Sequence, residues 1–422
     1  MAERDLDIVV FGATGVTGRR VAAYLAQRAA EDGVRWAAAA RDTAKLAKVL
    51  ADSRAGAPEM IAADVSDPAS VRAMAARTRV VLDLVGPYTL YGRPVIEACV
   101  AEGAHYADLT GEMPFVRATI DEFDAPARAA GVKVAQVCGY EALPPDLAVA
   151  LAADTARERH SEALAEVEME AWVTAPPGLP RPSDGISGGT LQSLLAVAAG
   201  EGADKITDPA VLLDDPERAA AVRRLSPILL SPHRGVDGGV IAPLAPAPFI
   251  NPAVIQRTAA LGDAEAGRKD QPFRYREGMV IGGPAAALPL RWGIAGAISA
   301  TQVGLRGMAR SSPAARRRIV GALVRVTPKS GFGPAADRLE NWGWGMRVAA
   351  RTAGGHEVRV DVEADGHPGY LATARMLGEL GILLAQDGAT PARSGCMTPG
   401  LALGTASAPR FERAGVRFTV AG

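Results

Sequence analysis

A glycine-rich turn near the N-terminus constrains this chain more than any other feature. An apolar, β-branched segment at 6–11 runs directly into Gly12, Gly15 and Gly18, and a helical pattern begins at about Val16. Gly12 permits a tight turn, Gly15 lets a pyrophosphate approach the backbone, and Gly18 allows the helix to pack closely on the strand. Because the N–H groups at a helix N-terminus attract anions, the pattern predicts a dinucleotide-binding Rossmann unit.

The end of the second predicted strand, at 35–40, indicates which dinucleotide binds. A site for NAD usually places Asp or Glu there to bind the adenosine ribose, whereas here Arg41 follows, with Lys45 one helical turn further on. These cations suit a 2′-phosphate, so the sequence predicts NADP(H). Asp42 is the alternative ribose ligand, but it has a simpler role as the N-cap of a helix at 43–50.

Strand and helix patterns alternate over the first 150 residues, which predicts a parallel, doubly wound sheet. After the second helix, the predicted elements are a strand at 59–63, a helix at 68–76, a strand at 80–85, a helix at 94–102, a strand at 105–109, a helix at 115–130 and a strand at 132–138. Ligands of such a sheet lie at the carboxyl ends of its strands, so we expect Asp64 near the adenine and Gly86 and Pro87 near the nicotinamide ribose. The predicted cofactor-binding residues are Gly12, Thr14, Gly15, Val16, Gly18, Arg41, Lys45, Asp64, Val85, Gly86 and Pro87.

The pattern changes after residue 145. Charged and apolar residues alternate at 166–173 and 355–365, and 346–351 is another strand candidate. This texture is typical of an antiparallel sheet with one solvated face. Proline-rich stretches predict loops or a lid at 174–182 and 243–252.

These patterns predict an α/β protein of two domains. The first, residues 1–145, is an NADP-binding Rossmann domain, and the second, residues 146–422, is a substrate or dimerisation α+β domain with a mixed or antiparallel sheet. We expect the segment from about 396 to 422 to pack back on the first domain. Trp342 and Trp344 would point the same way on an extended strand, which favours a packed sheet face over an acyl-binding wall.

Charge and cysteine usage argue against several classes of partner. The chain has 46 basic and 47 acidic residues, so its formal charge of −1 provides no electrostatic footprint for nucleic acid. The three cysteines are far apart and the histidines share no ligand spacing, so we expect neither disulfides nor a metal site. The charged N-terminus leaves no room for a signal peptide, and we expect a cytoplasmic protein.

One apolar stretch, 284–308, is rich in small residues. Arg291 and Arg306 interrupt it, and the 14 residues between them are fewer than the roughly 18 that a spanning helix needs. We therefore expect no transmembrane segment. The simpler interpretation is a buried or substrate-lining helix, and the alternative is a surface that makes peripheral contact with lipid or with a lipid-bearing partner.

Two common catalytic motifs receive little support. None of the seven tyrosines is followed four positions later by lysine, as the usual short-chain reductase pair requires. The segment 185–189 matches G-x-S-x-G, but Ser187 follows a proline-rich loop and not a buried strand. We interpret these glycines as part of a helix cap, whose N-terminus could still hold an anionic or carbonyl group.

Motifs at several strand ends resemble those of the saccharopine dehydrogenase-like oxidoreductases. They are Gly-Ala-Thr-Gly-Val-Thr-Gly at 12–18, Val-Gly-Pro-Tyr at 85–88, Tyr-Ala-Asp-Leu-Thr-Gly-Glu at 106–112, Cys-Gly-Tyr-Glu-Ala-Leu-Pro-Pro-Asp-Leu at 138–147 and Met-Thr-Pro-Gly at 397–400. More narrowly, the chain is similar to the trans-acting enoyl reductases of mycobacteria and related actinomycetes. The resemblance implies an NADP-binding Rossmann domain, a second α/β domain and a nicotinamide in the crevice between them. The sequence departs from the family pattern at Glu141, where Asp is expected.

The resemblance also implies a reaction. Hydride would pass from NADPH to the β-carbon of an α,β-unsaturated acyl thioester carried by a polyketide synthase carrier protein, a step of polyketide or lipid biosynthesis. A proton must reach the neighbouring carbon, and the strand ends place Tyr88, Tyr140 and Glu112 nearest. Each has a structural alternative: Tyr88 would stack near the nicotinamide, Tyr140 would line the crevice, and Glu112 would cap the helix that follows.

Two other functions are compatible with the sequence. A saccharopine-type amino-acid dehydrogenase would keep the hydride chemistry but needs a polar pocket, and no group of Arg and Lys that would grip two carboxylates stands out. A non-catalytic NADP(H) sensor or scaffold would keep the glycine loop alone. An oligomer is compatible with all three functions.

Overall fold

Two seven-stranded sheets organise the fold. The computed structural model describes residues 4–53, 55–177, 193, 195, 197–200, 202–244, 247–324 and 338–421. The first sheet contains β1 (Leu6–Phe11), β2 (Trp36–Ala40), β3 (Glu59–Ala62), β4 (Thr78–Asp83), β5 (His105–Asp108), β6 (Lys133–Ala135) and β13 (Gly395–Met397). Its strands are all parallel, in the order β13-β6-β5-β4-β1-β2-β3, so the predicted doubly wound sheet is confirmed.

The central strands of this sheet are apolar because helices cover both of their faces. Ile8, Val9 and Val10 of β1 are fully buried. The helices of this part of the chain are α1 (Gly18–Arg28), α2 (Thr43–Asp52), α3 (Pro68–Ala76), α4 (Tyr88–Glu102), α5 (Met113–Ala130) and α6 (Leu143–His160). The Asp42 carboxylate accepts the backbone N–H of Lys45 at 2.9 Å, which confirms its interpretation as the N-cap of α2.

One predicted helix boundary is wrong. The helix predicted from residue 94 begins at Tyr88, so Pro94 lies inside α4. The cause is remote in sequence: the carboxylate of Glu112 accepts the backbone N–H groups of Tyr88 and Thr89 and thereby caps the longer helix.

Later segments complete the first sheet and its helical layer. β13 pairs with β6 at the sheet edge, and α11 (Thr373–Ala385) packs against α1 and β4. The hydroxyl of Tyr24 on α1 donates to Glu379 of α11 at 2.7 Å. We expected the segment from about 396 to pack here; β13 does lie here, whereas β14 (Val416–Ala421) belongs to the other sheet.

The second sheet is mixed, as predicted. Its strands are β7 (Leu164–Thr174), β8 (His233–Arg234), β9 (Val240–Ala242), β10 (Arg274–Ile281), β11 (Gly343–Thr352), β12 (Glu357–Asp365) and β14. They lie in the order β14-β12-β11-β7-β10-β9-β8, and the β7–β10 pair is parallel while the others are antiparallel. One face packs on α6 through residues such as Met169, Met346 and Val348, which are fully buried. The two sheets therefore share one hydrophobic core.

The remaining helices are α7 (Pro216–Leu225), α8 (Asn251–Glu265), α9 (Leu288–Ala309), α10 (Pro313–Val324) and α12 (Pro399–Leu403). The loop predicted at 243–252 is wrong at its end, because a 3-10 turn spans Ala247–Phe249 and α8 begins at Asn251.

The buried-helix interpretation of 284–308 holds for one side only: Ala295 of α9 is fully buried against β9, whereas the opposite side is exposed. No helix of the described chain has the length and hydropathy to cross a membrane.

Candidate active site

The glycine turn after β1 has the geometry of a phosphate cradle. Gly12 has a φ of +88°, which glycine adopts readily, and a Cβ there would lie 2.9 Å from the carbonyl carbon of Leu84. A Cβ on Gly18 would lie 2.4 Å from the carbonyl oxygen of Gly12. The N–H groups of Thr14 and Val16 donate to no backbone carbonyl of the described chain. The turn that leads into α1 therefore contains N–H donors without a backbone acceptor. This arrangement fits the pyrophosphate of a dinucleotide.

The glycine turn is closed by a local hydrogen bond. The N–H of Gly15 donates to the carbonyl of Gly12 at 3.0 Å, and a Cβ on Gly15 would lie 3.3 Å from the same oxygen. Because Gly15 has no side chain, nothing at this position blocks a ligand from reaching the backbone, as its predicted role requires.

Predicted adenosine-side residues lie at the ends of β2 and β3. Arg41 and Lys45 are exposed, and one carboxylate oxygen of Asp42 is engaged as a helix cap. Asp64 accepts the N–H and hydroxyl of Ser66 at 2.9 and 2.8 Å. These bonds lower the pKa of Asp64, so it stays ionised while Arg41 supplies positive charge nearby. A 2′-phosphate would meet cations here.

Two buried acids hold the nicotinamide-side loops in place. Asp83, at the end of β4, accepts the N–H of Val85 at 3.0 Å, and Asp108, at the end of β5, accepts that of Thr110 at 3.1 Å. The hydroxyl of Tyr106 joins them, at 3.2 Å from Asp83 and 3.0 Å from Asp108. Burial raises the pKa of Asp108 to about 6, and burial together with the nearby Asp108 charge raises that of Asp83.

Asp108 supports a strained backbone residue, Val137, which follows β6. Asp108 also accepts the N–H of Val137 at 3.0 Å, and Val137 has a φ of +64°, which a β-branched side chain rarely adopts. Sequence reasoning did not assign roles to Asp83 or Asp108, although both end apolar strands. Their position at strand ends was the available signal.

Gly86 and Pro87 lie in the loop between β4 and α4. The sequence predicts that they border the cofactor. Added to Gly86, a Cβ would lie 3.7 Å from the Tyr88 ring and 3.8 Å from the hydroxyl oxygen of Ser193. The second part of the chain thus reaches over this strand end. Pro87 is the N-cap residue of α4.

The structure assigns Glu112 and Tyr88 to local support. Glu112 accepts the N–H groups of Tyr88 and Thr89 at 2.9 and 2.8 Å, together with the Thr89 hydroxyl, so it caps α4 and not the helix that follows it. The Tyr88 hydroxyl donates to the carbonyl of Asp83 at 3.0 Å and accepts the N–H of Leu109 at 3.3 Å. The Tyr88 hydroxyl therefore acts both as donor and as acceptor, and it links the end of β4 to the end of β5.

Tyr140 differs from these two residues because its hydroxyl is buried without a partner in the described chain. Its ring packs edge-on against Trp344, with 4.9 Å between ring centroids. Its N–H donates to the hydroxyl of Thr373 at 3.1 Å, which fixes the backbone. Burial raises the pKa of Tyr140, with the Glu141 and Glu277 carboxylates adding to the effect, so the phenol stays protonated.

A buried polar cluster on β10 and α8 was missed by sequence reasoning. One oxygen of Glu277 accepts the side-chain N–H of Asn251 and the hydroxyl of Tyr275, each at 2.8 Å. The other oxygen of Glu277 and the carbonyl oxygen of the Asn251 side chain are buried without partners in the described chain. Burial raises the pKa of Glu277 to about 7. Glu277 lies in an alternating strand, and that alternation by itself did not show that its side chain faces inward.

This cluster approaches the end of β5. A Cβ on Gly111 would lie 2.9 Å from Cδ1 of Ile250, the residue before Asn251. Because the Glu277 charge raises the pKa of Tyr140, the two groups interact electrostatically. The cluster of Glu277 and Asn251 therefore lies near the end of β5 and within electrostatic range of Tyr140.

A separate cavity of about 260 Å³ lies beside α6 and α8. Asp146 lines it, is almost fully buried and has one oxygen without a partner in the described chain, while the other accepts the N–H of Gly400 at 2.7 Å. Burial raises the pKa of Asp146 to about 7. At the other end, Arg157 and Arg218 pair with Asp263, so the charges there are compensated.

Some predictions fall elsewhere. Ser187 and the helix cap predicted around it lie outside the described residues. Trp342 precedes β11 and its ring lies 4.5 Å from that of His367, whereas Trp344 is within β11 and contacts Tyr140. The tryptophans are therefore not a simple strand pair. In the described chain, no group of three or more His, Cys, Asp or Glu side chains could hold a metal ion.

Comparison with known proteins agrees with this geometry. Residues 8–134 match the family model of the saccharopine dehydrogenase NADP-binding domain. A Mycobacterium tuberculosis protein provisionally named a trans-acting enoyl reductase is 35% identical, over 98% of this chain and 97% of its own. The trans-acting enoyl reductase of Mycobacterium ulcerans is 33% identical over the same shares. The solved apo saccharopine dehydrogenase (L-Glu forming) of Saccharomyces cerevisiae shares the fold, with a TM-score of 0.52 and 12% identity over 99% of this chain and all of its own.

The glycine cradle, the cations beyond β2 and the matched domain define an NADP(H)-dependent oxidoreductase. The chain belongs to the saccharopine dehydrogenase-like family, and its full-length relatives include proteins named trans-acting enoyl reductases.

Proposed function

We propose that this protein is an NADPH-dependent enoyl reductase that acts in trans on an α,β-unsaturated acyl thioester carried by a polyketide synthase. The observation that carries the proposal is the unpartnered, buried Tyr140 hydroxyl beside the ring of Trp344, at the carboxyl end of the nucleotide-binding sheet. The names of the full-length relatives support the reaction and its mode of delivery.

The charges around the crevice favour an acyl thioester over an amino-acid substrate. Two carboxylates, those of Glu141 and Glu277, act electrostatically on Tyr140, and a third, that of Glu112, lies just beyond the end of β5. A substrate with two carboxylates would need Arg or Lys side chains to pair with them. An acyl thioester carries no such charge, so it tolerates acidic neighbours.

Tyr140 is the proposed source of the proton that the reaction needs. NADPH, when bound, supplies the hydride that the β-carbon receives. The α-carbon then needs one proton, and we assign its donation to the Tyr140 hydroxyl, which keeps its proton at neutral pH. Glu277 acts on Tyr140 electrostatically but forms no hydrogen bond with it, so the phenol regains its proton from solvent before the next turnover. One hydride and one proton thus reduce the double bond, and NADP⁺ leaves.

NADPH oxidation measured with crotonyl-type thioesters, against saccharopine oxidation with NADP⁺, tests the proposed reaction. Tyr140→Phe is expected to lower kcat about a hundredfold or more while the Kd for NADPH stays unchanged, because general acid catalysis supplies roughly that factor. Tyr91→Phe, at a tyrosine that is 40% exposed, is the matched control and should keep full activity.

Turnover of saccharopine without turnover of the thioester would overturn the proposal in favour of an amino-acid dehydrogenase. Absence of turnover with either acceptor, despite tight NADPH binding, would overturn it in favour of a sensor or scaffold. If Tyr140→Phe keeps full kcat with the thioester, the reaction stands and the proton donor is reassigned.

A further inference from the structure

The outward side of α9 and α10 carries an unusual share of exposed apolar surface. Half of the large hydrophobic side chains that are exposed in the described chain lie in these two helices. Leu290 and Ile294 of α9 are 65% and 43% exposed, and Ile319 and Leu323 of α10 are also exposed. We call this surface the outer helical face, defined as Leu290, Gly293, Ile294, Ala297, Thr301 and Gly304 of α9 with Ile319 and Leu323 of α10.

The stripe on α9 is continuous along the helix. Its residues at 290, 293, 294, 297, 301 and 304 follow the helical repeat, are exposed and carry no charge. The stripe spans about 21 Å at the rise of an α-helix. The opposite side is already used, because Ala295 packs with Ile281 and Val240 of the second sheet. A helix that is apolar on both sides needs a partner on the outer one.

The charge around this face has a single sign. From residue 284 to residue 324 there is no Asp or Glu. The arginines of this stretch are Arg291, Arg306, Arg310, Arg316, Arg317 and Arg318. None of them forms an ion pair with an acidic residue of the described chain. Arg317 and Arg318 are exposed next to Ile319, so positive charge borders the apolar side chains directly.

The arginines divide into anchored and outward groups. Arg291 donates from Nε to the carbonyl of Ile281 at 2.7 Å, and Arg316 donates to the carbonyl of Ser311 at 2.8 Å. These bonds stiffen the ends of α9 and the start of α10. Arg317 and Arg318 are left to meet an anionic partner.

We propose that the outer helical face docks on a phospholipid surface that contains anionic headgroups. An interfacial helix buries an apolar stripe at the level of the acyl chains while arginines reach the phosphates, and this face presents both features. The outward residues on α9 are aliphatic, small or threonine, so the stripe itself presents no charge that acyl chains would exclude. The inference does not depend on the proposed reaction.

Vesicle sedimentation of the full-length protein tests this inference. Vesicles of phosphatidylcholine with phosphatidylglycerol should bind the protein, and vesicles of phosphatidylcholine alone should bind it much more weakly. Ile294→Glu should lower the partition coefficient about tenfold or more, because it places a charge where docking would bury an aliphatic side chain in the lipid. Arg317→Glu should lower it about fivefold or more, and added salt should reduce that difference.

Leu225→Glu is the matched control. Leu225 is 40% exposed at the end of α7, so its replacement adds the same charge at similar exposure outside the face. It should leave vesicle binding unchanged. NADPH binding by each variant verifies that the chain has folded.

Four results would overturn the inference, and the first three concern vesicle binding and the oligomeric state. They are equal binding to neutral and anionic vesicles, equal loss of binding by Leu225→Glu and Ile294→Glu, and a dimer in sedimentation velocity that Ile294→Glu converts to a monomer. The last would assign the face to a second copy of this chain. Binding to an acidic carrier protein without any binding to anionic vesicles would overturn it as well.

Discussion

Replacing Glu277 by Gln should change how the stability of the protein depends on pH. Glu277 is 6% exposed, and its pKa rises from 4.5 to about 7 because burial penalises the ionised form. The folded state therefore binds a proton more tightly than the unfolded state does. Stability must fall as pH rises from the unfolded pKa through the folded one.

The size of the effect follows from the two pKa values. With 4.5 for the unfolded chain and about 7 for the folded one, the Glu277 contribution to the free energy of unfolding falls by roughly 2–3 kcal/mol between pH 5 and pH 8. Gln has nearly the same shape, and its oxygen can still accept from Asn251 and Tyr275. The variant should thus lose this part of the pH dependence with little loss of packing.

Urea unfolding at both pH values provides the measurement. The difference in unfolding free energy, variant minus wild type, should become more positive by roughly 2–3 kcal/mol on going from pH 5 to pH 8. Glu158→Gln is the control, because Glu158 is exposed on α6 and its replacement should leave the slope unchanged. An unchanged slope in Glu277→Gln would refute the assignment of a raised pKa to Glu277.

Three further predictions concern the cofactor cradle and its supports. Gly18→Ala should weaken NADPH binding and lower the Tm, since its Cβ would lie 2.4 Å from the Gly12 oxygen, whereas Gly262→Ala, with no neighbour within 4 Å, should do neither. Arg41→Asp should raise the Kd for NADPH about tenfold or more and leave that for NADH much less affected, as measured by fluorescence titration; equal weakening of both would contradict the 2′-phosphate role. Glu112→Gln should cost about 1–2 kcal/mol of stability in chemical unfolding, because an amide cannot accept N–H groups with both of its heteroatoms; no loss would mean that the α4 cap is dispensable.

Local chemistry explains why much of the nucleotide-binding unit was predictable. The strand, turn and helix around Gly12 to Gly18 are continuous in sequence, and the Asp42 cap acts on a residue only three positions away. Periodicity also predicted β7 and β12, since alternation within one strand reports its buried face. Such signals need no knowledge of distant contacts.

The candidate active site was less predictable because its parts come from distant segments. Tyr140 was named from the end of β6, yet its aromatic partner Trp344 lies about 200 residues later. Glu277 sits in a strand where an inward acid cannot be told from an outward one by pattern alone. Its partner Asn251 comes from a stretch that was predicted to be a loop.

The sequence by itself determined that this chain carries a dinucleotide-binding fold with a preference for NADP(H), because the glycines, the strand and Arg41 act over a few residues. Only the tertiary structure decided what the strand-end acids do. Glu112 became the cap of a helix that precedes it, and Glu277 became a buried group with a raised pKa. The physical reason is that capping and desolvation depend on which distant groups the fold brings together, and no local spacing encodes that.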